Sequence, residues 1–169
     1  FASFGIESVS VYRKPKVGLI ITGSELVKPG IDLQPGQIYE SNAITLKSCL
    51  QADEFNIDTI QTVSDDLQLS VEAVKELSDS HDVVLISGGI SVGDYDFVQE
   101  ALTANRVDTI FYKIKQKPGK PMLFGKNDST YFFALPGNPA SALTCCYEYV
   151  LPALRKISGQ VEIFGTILN

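Results

Sequence analysis

A glycine-rich loop that carries two aspartates is the part of this chain best suited to chemistry. Residues 83–86 are an apolar run, residues 87–93 read SGGISVG, and a helical pattern begins at Asp96. Such an order leaves backbone N–H groups unpaired at the carboxyl end of a strand, where the helix dipole also favours anions. Asp94 and Asp96 could hold a divalent cation beside that anion. The loop therefore predicts a site for a phosphorylated ligand, although Asp96 with Gln99 also fits an ordinary capping box.

Positive charge is concentrated in one segment of an acidic chain. The formal net charge is −6, yet residues 106–126 contain six basic side chains and one acid. A strand predicted over Val107–Gln116 would put Lys113, Lys115 and Lys117 on one face, because side chains alternate along a strand. Lys120 follows in a turn. We favour an anion-binding face, because the rest of the chain is acidic; a solvated edge strand that its lysines protect from aggregation is the alternative.

A second strand–turn–helix unit is predicted at residues 134–141, which read ALPGNPAS. Asn138 suits the N-cap position, Pro139 suits the first helical position, and Ser141 lies in the first turn. The spacing fits a well-capped helix and a second anion-binding mouth equally well. Two such turns on one sheet nevertheless indicate a ligand site, because open α/β sheets bind ligands at the carboxyl ends of their strands.

Further carboxylates follow the first two predicted strands. Asp65 and Asp66 stand where a helix would be capped, which explains them without function. Glu25 comes directly after a buried strand and is harder to explain structurally. If these acids converge with those of the glycine-rich loop, they would bind magnesium and offset the charge of a phosphoanhydride.

Several other classes of site are disfavoured. The glycine loop is GGxxxG rather than GxGxxG, and Gly119-Lys120 lacks the upstream glycine of a P-loop. One histidine, His81, supports neither a His/Cys metal site nor a serine-hydrolase triad. Cys145 and Cys146 are expected to be small core residues. The negative net charge argues against nucleic-acid binding, and no apolar run is long enough to cross a membrane.

Strands and helices are predicted to alternate along the chain. Strands are predicted at residues 17–22, 55–63, 83–86, 107–116, 122–124 and 131–134. Helices are predicted to begin near residues 41, 66, 96 and 139, and Pro152 is expected to kink or shorten the last of them. This alternation predicts an α/β fold, a three-layer αβα sandwich whose sheet is mostly parallel with one antiparallel edge element.

Six motifs in order resemble one known family. They are TGSEL at residues 22–26, GQIYESN at 36–42, SDD at 64–66, SGGISVGDYD at 87–96, KPGKP at 117–121 and LPGNP at 135–139. Together they resemble the molybdopterin-binding domain of the MoeA family, the bacterial relatives of the gephyrin E domain. The resemblance covers about residues 12–159.

The resemblance implies a molybdopterin molybdenumtransferase, which takes adenylylated molybdopterin and molybdate, cleaves the adenylate with Mg²⁺, and releases AMP and molybdenum cofactor. By motif position, the implied catalytic residues are Glu25, Asp65, Asp96, Lys113 and Lys117. The implied metal ligands are Asp65, Asp94 and Asp96. The implied ligand-binding residues are Thr22, Ser87, Gly88, Gly89, Ser91, Gly93, Lys120, Pro136, Gly137, Asn138, Pro139 and Ser141.

The resemblance also implies a larger protein. We expect residues 1–11 to be the tail of a preceding domain, 12–159 the molybdopterin-binding domain, and 160–169 the start of a C-terminal β domain. A cytoplasmic homodimer is implied, in contact with the adenylyltransferase that supplies its substrate, and the isolated domain is expected to turn over poorly. The alternatives are the related adenylyltransferase, whose usual loop features are absent after Gly93, a gephyrin-like scaffold module, and a degenerate domain.

Overall fold

A six-stranded sheet forms the middle layer of the molecule. The computed structural model describes residues 1–90 and 97–164. The sheet contains β1 (Val17–Thr22), β4 (Thr59–Val63), β5 (Val83–Ser87), β6 (Asp108–Tyr112), β7 (Leu123–Lys126) and β8 (Tyr131–Leu135) in the order β4-β1-β5-β8-β7-β6. Two short strands, β2 (Leu26–Val27) and β3 (Ile38–Tyr39), pair separately in the loop after β1.

Strand direction confirms the predicted mostly parallel sheet with an antiparallel element at one edge. Strands β4, β1, β5 and β8 are parallel, whereas β7 runs antiparallel to both β8 and β6. Two reversals return β6 to the direction of the parallel strands. The carboxyl end of β6 therefore lies at the same edge of the sheet as the carboxyl ends of β1, β5 and β8, and this edge carries the candidate site.

Helices cover both faces of the sheet. On one face lie α1 (Asn42–Ala52), α4 (Pro139–Cys145), a π-helix (Cys146–Val150) and α5 (Leu151–Ile157); on the other lie α2 (Leu67–Ser78) and α3 (Phe97–Ala104). Alternate sheet residues feed the two cores, as Leu19 and Leu85 pack on the first side while Ile20 and Ile86 pack on the second. The arrangement is the three-layer αβα sandwich predicted from the sequence.

The last predicted helix contains a π-turn. The helical run from Pro139 to Ile157 is continuous, but Cys146–Val150 is π-helical and ends two residues before Pro152. Pro152 has no N–H to donate to the preceding turn, so a wider turn lets the chain pass the proline without ending the helix. Cys145 and Cys146 are buried in the core on this side, as predicted.

Two predicted strands are shorter in the structure. Strand β4 begins at Thr59 rather than near Phe55, because the Asp58 carboxylate accepts the Val17 N–H and the preceding residues form a loop. Strand β6 ends at Tyr112, and Lys113 has a left-handed backbone with φ 61°. The prediction of one strand through residue 116 was therefore wrong. Sequence reasoning also missed β2 and β3, which are only two residues each.

None of the helices in the described residues is long and apolar enough to cross a membrane.

Candidate functional site at the carboxyl ends of the strands

A cavity of about 540 Å³ opens where β1, β5 and β8 end. Its volume is in the range of small-molecule sites, and its position is the one where open α/β sheets bind ligands. The strand ends and the loops after them supply most of the wall. The residues that line the cavity are Ile21, Thr22, Gly23, Glu25, Leu26, Ile38, Tyr39, Glu40, Ser41, Asn42, Asp65, Ser87, Gly88, Gly89, Ile90, Phe97, Gly137, Asn138 and Pro139.

The turn after β5 packs tightly against the end of β1. Gly88 and Gly89 both have positive φ, at 93° and 66°, a region that glycine tolerates and side chains rarely adopt. A Cβ atom on Gly88 would overlap the Thr22 carbonyl oxygen, and one on Gly89 would lie 2.7 Å from Thr22 Oγ1. The two glycines are therefore needed for both backbone conformation and close approach.

Asn42 connects three elements at the back of the cavity. It is the first residue of α1 and is only 8% exposed. Its Nδ2 donates to Ser87 Oγ at the end of β5 and to the Gly137 carbonyl after β8, both at 2.8 Å. Sequence reasoning included Asn42 only as the last residue of the motif at 36–42 and gave it no role in the site. The sequence signal that could have identified Asn42 is its position in the motif at residues 36–42, which lies between the loop after residue 22 and the glycine-rich loop after residue 86.

Two buried polar atoms of the cavity wall have no hydrogen-bond partner within the described structure. They are Oγ1 of Thr22, a residue 5% exposed, and Oδ1 of Asn42. Leaving such a group unsatisfied costs on the order of 1–3 kcal/mol, and native proteins do so rarely. Both residues are neighbours of the end of β5, because Asn42 donates to Ser87 and Thr22 follows the β1 residue that pairs with Ser87. Unsatisfied groups concentrated in one cavity point to a ligand.

Three carboxylates also line the cavity. Glu25 and Asp65 follow β1 and β4, and Glu40 precedes α1. Asp65 Oδ2 accepts the Ser24 N–H at 3.0 Å while the Asp65 N–H donates to Ser24 Oγ at 3.1 Å, which links the two strand ends. Glu40 Oε1 accepts the Ala43 N–H of the first turn of α1. In the described part of the lining, these acids are the only charged residues.

The helix N-termini at the cavity are largely capped by the chain itself. The Asn138 side chain accepts the Ser141 N–H at 3.1 Å, and its backbone carbonyl accepts the Ala142 N–H at 2.9 Å. Asn138 is therefore the predicted N-cap of α4, but the cap occupies an amide that we had expected to be free for an anion. The same holds after β5, where the Gly88 N–H donates to the Leu135 carbonyl.

The sequence of this chain is similar to those of known proteins. The family model described as "Probable molybdopterin binding domain" matches residues 18–156. The chain belongs to this family. A molybdopterin molybdenumtransferase of Haemophilus influenzae is 41% identical over 162 residues, which are 95% of this chain and 40% of that relative. The resemblance inferred from the six motifs is confirmed, and the chain spans about two fifths of the length of the curated relatives it matches.

Solved structures support the same family. A MoeA protein of Pyrococcus horikoshii superposes with a TM-score of 0.78 at 33% identity, covering 94% of this chain and 39% of that one. A MoaB protein of Thermus thermophilus superposes with a TM-score of 0.62 at 19% identity, covering 86% of this chain and 98% of that one. The second likeness shows the fold alone, and it shows that this molybdopterin-binding domain fold also makes up almost a whole chain.

The predicted site residues of this molybdopterin-binding domain fall into three groups. One group lines the cavity and comprises Thr22, Glu25, Asp65, Ser87, Gly88, Gly89, Gly137, Asn138 and Pro139. A second group lies outside the described residues and comprises Ser91, Gly93, Asp94 and Asp96. The third group is not part of the cavity lining and comprises Lys113, Lys117, Lys120, Pro136 and Ser141.

The lysine segment, residues 113–120, lies at the same edge of the sheet as the cavity. Tyr112, Leu123, Ala134 and Ile86 pair in one row across β6, β7, β8 and β5, so the segment begins one residue beyond this row. At about 4.8 Å per strand, β6 is roughly 10 Å from β8. The lysines therefore lie to one side of the cavity, where their side chains are exposed to solvent.

The alternation expected of the lysines partly survives the loss of the strand. Lys113, Lys115 and Lys117 are exposed, whereas Ile114 and Gln116 between them are half-buried. Two hydrogen bonds maintain the extended course: the Lys113 N–H donates to the Met122 carbonyl, and the Ile114 N–H donates to the Lys120 carbonyl. The exposed lysines thus form a cationic border, but the acid-lined cavity is a separate feature.

No three His, Cys, Asp or Glu side chains within residues 1–90 and 97–164 are close enough together to form a metal site.

Proposed function

We propose that this domain binds molybdopterin in the cavity at the strand ends and takes part in inserting molybdate into the adenylylated form of that ligand. The observation that carries the proposal is the cavity itself, whose wall contains both the unsatisfied buried polar atoms of Thr22 and Asn42 and the carboxylates of Glu25 and Asp65. The named activity of the relatives belongs to longer proteins, so we propose that this domain acts as one part of such a protein.

A pterin ring fits the neutral part of this wall. A pterin is a flat ring that carries N–H donors and a carbonyl acceptor along one edge, and its two faces are suited to apolar contacts. The wall offers the unpaired acceptor of Asn42, the hydroxyl of Thr22, and the apolar side chains of Ile21 and Ile90. Cavities that combine apolar contact with a few polar groups are typical of small-molecule sites.

Mg²⁺ fits the acidic part of the wall. The donors there are carboxylate oxygens, which are the ligands that Mg²⁺ prefers, and Mg²⁺ commonly uses one or two of them together with phosphate oxygens. We propose that Asp65 and Glu25 hold the ion together with Asp94 and Asp96. When bound, the ion neutralises phosphate charge during cleavage of the phosphoanhydride. Without a cation, carboxylates in the cavity would repel a phosphate group.

The lysine segment suits the anionic end of an extended ligand or molybdate. Lys113 and Lys117 are exposed at the same edge as the cavity, about two strand spacings from β8. Their ammonium groups provide hydrogen bonds to oxyanions that are stronger than those between neutral groups. We propose that Lys113 and Lys117 bind molybdate or the pyrophosphate, while Glu25 and Asp65 orient the cleavable bond from the opposite side.

The remaining expectations for the whole protein stay with this proposal. They are a homodimer, a cytoplasmic location, contact with the adenylyltransferase that supplies the substrate, and flanking domains before residue 12 and after residue 159. Each accords with the resemblance to the MoeA group, and each is independent of the cavity geometry.

Calorimetric titration of the full-length protein tests the proposal. Molybdopterin and its adenylylated form should each bind with micromolar Kd or better, about −8 kcal/mol. The adenylylated form should bind more tightly with Mg²⁺ than with EDTA. Addition of molybdate should then release AMP. Absence of binding by either ligand would contradict the proposal, whereas transfer of AMP from ATP onto molybdopterin would favour the adenylyltransferase.

A further inference from the structure

We propose that Asn42 is the residue that recognises the N–H edge of the heterocyclic ring and, through its amide group, holds the two ligand loops together. The inference rests on the proposed function and deepens it by assigning the neutral end of the ligand to one corner of the cavity. That corner is formed by Asn42, Thr22 and Ser87.

The orientation of the Asn42 amide follows from its partners. The Gly137 carbonyl is an acceptor only, so the group 2.8 Å from it is the NH₂ of Asn42. The same NH₂ donates to Ser87 Oγ. The other end of the amide is therefore a carbonyl oxygen, and this atom lacks a donor. A buried acceptor in a cavity wall can be satisfied by a ligand N–H.

The two functions of the side chain are separable. The NH₂ group joins the end of β5 to the loop after β8, which sets how far apart the two walls of the cavity lie. The carbonyl oxygen makes no bond that supports the fold. It is shielded from water, so a ligand donor reaches it as side chains of the wall adjust around the ligand, as commonly happens on binding.

An apolar replacement separates ligand recognition from folding. Asn42→Leu keeps the branched shape of the side chain in a somewhat larger volume, removes the unsatisfied oxygen, and loses the two donated bonds. The Gly137 carbonyl is on an exposed residue and can bond to water, whereas Ser87 is buried and loses a partner. Removing the unsatisfied oxygen raises the free energy of unfolding, whereas losing the two donated bonds lowers it. We therefore expect Tm to stay within about 4 °C of the parent protein, a small shift for a chain of this size.

The test measures binding of two probes to the full-length protein and its variants by calorimetry. Hydroxymethylpterin carries the ring without phosphate, and molybdopterin carries both. Asn42→Leu should weaken both by about tenfold or more, which corresponds to about 1.4 kcal/mol. Asn42→Asp retains an oxygen in a similar position and should therefore bind both probes at least about threefold more tightly than Asn42→Leu does. Equal affinity of Asn42→Leu and the parent for both probes would overturn the assignment.

Asn105→Leu is the matched control. Its Nδ2 likewise donates two hydrogen bonds, here to the carbonyl oxygens of Val71 and Ala101, but it lies at the end of α3 away from the cavity. It should lower Tm and leave the affinity for both probes unchanged. A loss of pterin affinity in this control as large as in Asn42→Leu would overturn the inference, because the effect would then be structural.

Failure of the inference and failure of the proposed function give different results. If the parent protein binds neither molybdopterin nor hydroxymethylpterin, the proposed function and the inference both fail. If the parent binds molybdopterin but Asn42→Leu binds it equally well, only the role of Asn42 is lost. If Asn42→Asp binds no better than Asn42→Leu, the carbonyl oxygen is not the recognition group and the inference is overturned.

Discussion

The cavity and the lysine segment are both at the carboxyl edge of the sheet, yet they differ in how the chain builds them. The cavity is formed by separate loops that parallel strands β1, β5 and β8 bring together, and its described charges are all negative. The lysine segment is one continuous stretch after an edge strand, and its charges are all positive. A ligand that contacts both regions would carry a neutral part, a metal-binding part and an anionic part, one after another along its length.

The difference shows which type of sequence pattern locates a site. Parallel strands end at a common edge, so residues that follow them converge whatever their distance in sequence. This rule applies to Glu25, Ser87 and Gly137, which line one cavity. Alternation along a strand says only which residues share a face. It did not indicate that β6 would be two strands away from β8.

The largest expected effect is on the acids of the cavity. Asp65→Asn or Glu25→Gln in the full-length protein should lower the rate of cofactor formation at least about 100-fold, because each removes a proposed ligand of Mg²⁺, and losing a metal ligand costs no less than losing its outer-sphere partners. Saturating Mg²⁺ should recover part of the rate. Glu72→Gln, an exposed acid of α2, is the control. Normal rates in both cavity variants would remove the acids from the mechanism.

A smaller loss is expected from the lysine segment. Lys117→Ala should reduce cofactor formation at limiting molybdate about 10- to 100-fold, which is the value of one charge-assisted hydrogen bond. Lys126→Ala is the matched control. Lys126 lies opposite Asp108 in the register of β7 and β6, so it is at the end of these strands away from the cavity. The measurement is the rate as a function of molybdate and salt concentration. Equal behaviour of the two variants would show that the lysine segment is only a solvated border.

The tight turn at the cavity allows a direct test of its packing. Gly88→Ala adds a Cβ atom against the Thr22 carbonyl at a φ of 93°, whereas Gly30→Ala adds one at 95° with open space around it. The left-handed conformation alone costs about 1–2 kcal/mol. Denaturant unfolding should therefore show that loss for Gly30→Ala and a larger one for Gly88→Ala. Equal losses would show that the turn moves away from Thr22 easily.

Local patterns predicted most of this fold, and nine of the predicted site residues line the cavity. Val17–Thr22 and the Asn138 cap follow from apolar runs and helix-start residues, which act within a few positions of the chain. The unsatisfied Asn42 oxygen and the end of β6 depend on contacts with residues distant in sequence. Such contacts leave no period or composition to detect, so the sequence marked Asn42 only as part of a motif.

The smallest expected effect concerns how firmly the lysine segment is held to the helical layer. Tyr149 of the π-helix donates to Gln116 Oε1 at 2.6 Å, and Gln116 Nε2 donates to the Pro118 carbonyl at 2.8 Å. We call these two hydrogen bonds the brace. It lies beside Cys145, whose Sγ is 3.9 Å from Gln116 Nε2 and 3.7 Å from the Gly119 carbonyl oxygen. Tyr149→Phe removes one hydrogen bond and should destabilise the protein by about 1 kcal/mol.

Thiol labelling at Cys145 reports on that brace without reference to activity. Burial raises the pKa of Cys145 to about 11, so at pH 8 only about one thiol in a thousand is the reactive thiolate. The raised pKa predicts slow labelling in the folded protein that speeds up as pH rises towards 11. The rate is read at Cys145 itself by peptide mass, because Tyr147 interacts with the separate thiol of Cys49. Tyr149→Phe should increase the Cys145 rate at pH 8 severalfold, and Tyr147→Phe, an exposed neighbour, should not. Equal labelling rates in the two variants would mean that the lysine segment is held by its backbone bonds, those from Lys113 to Met122 and from Ile114 to Lys120, and not by Tyr149.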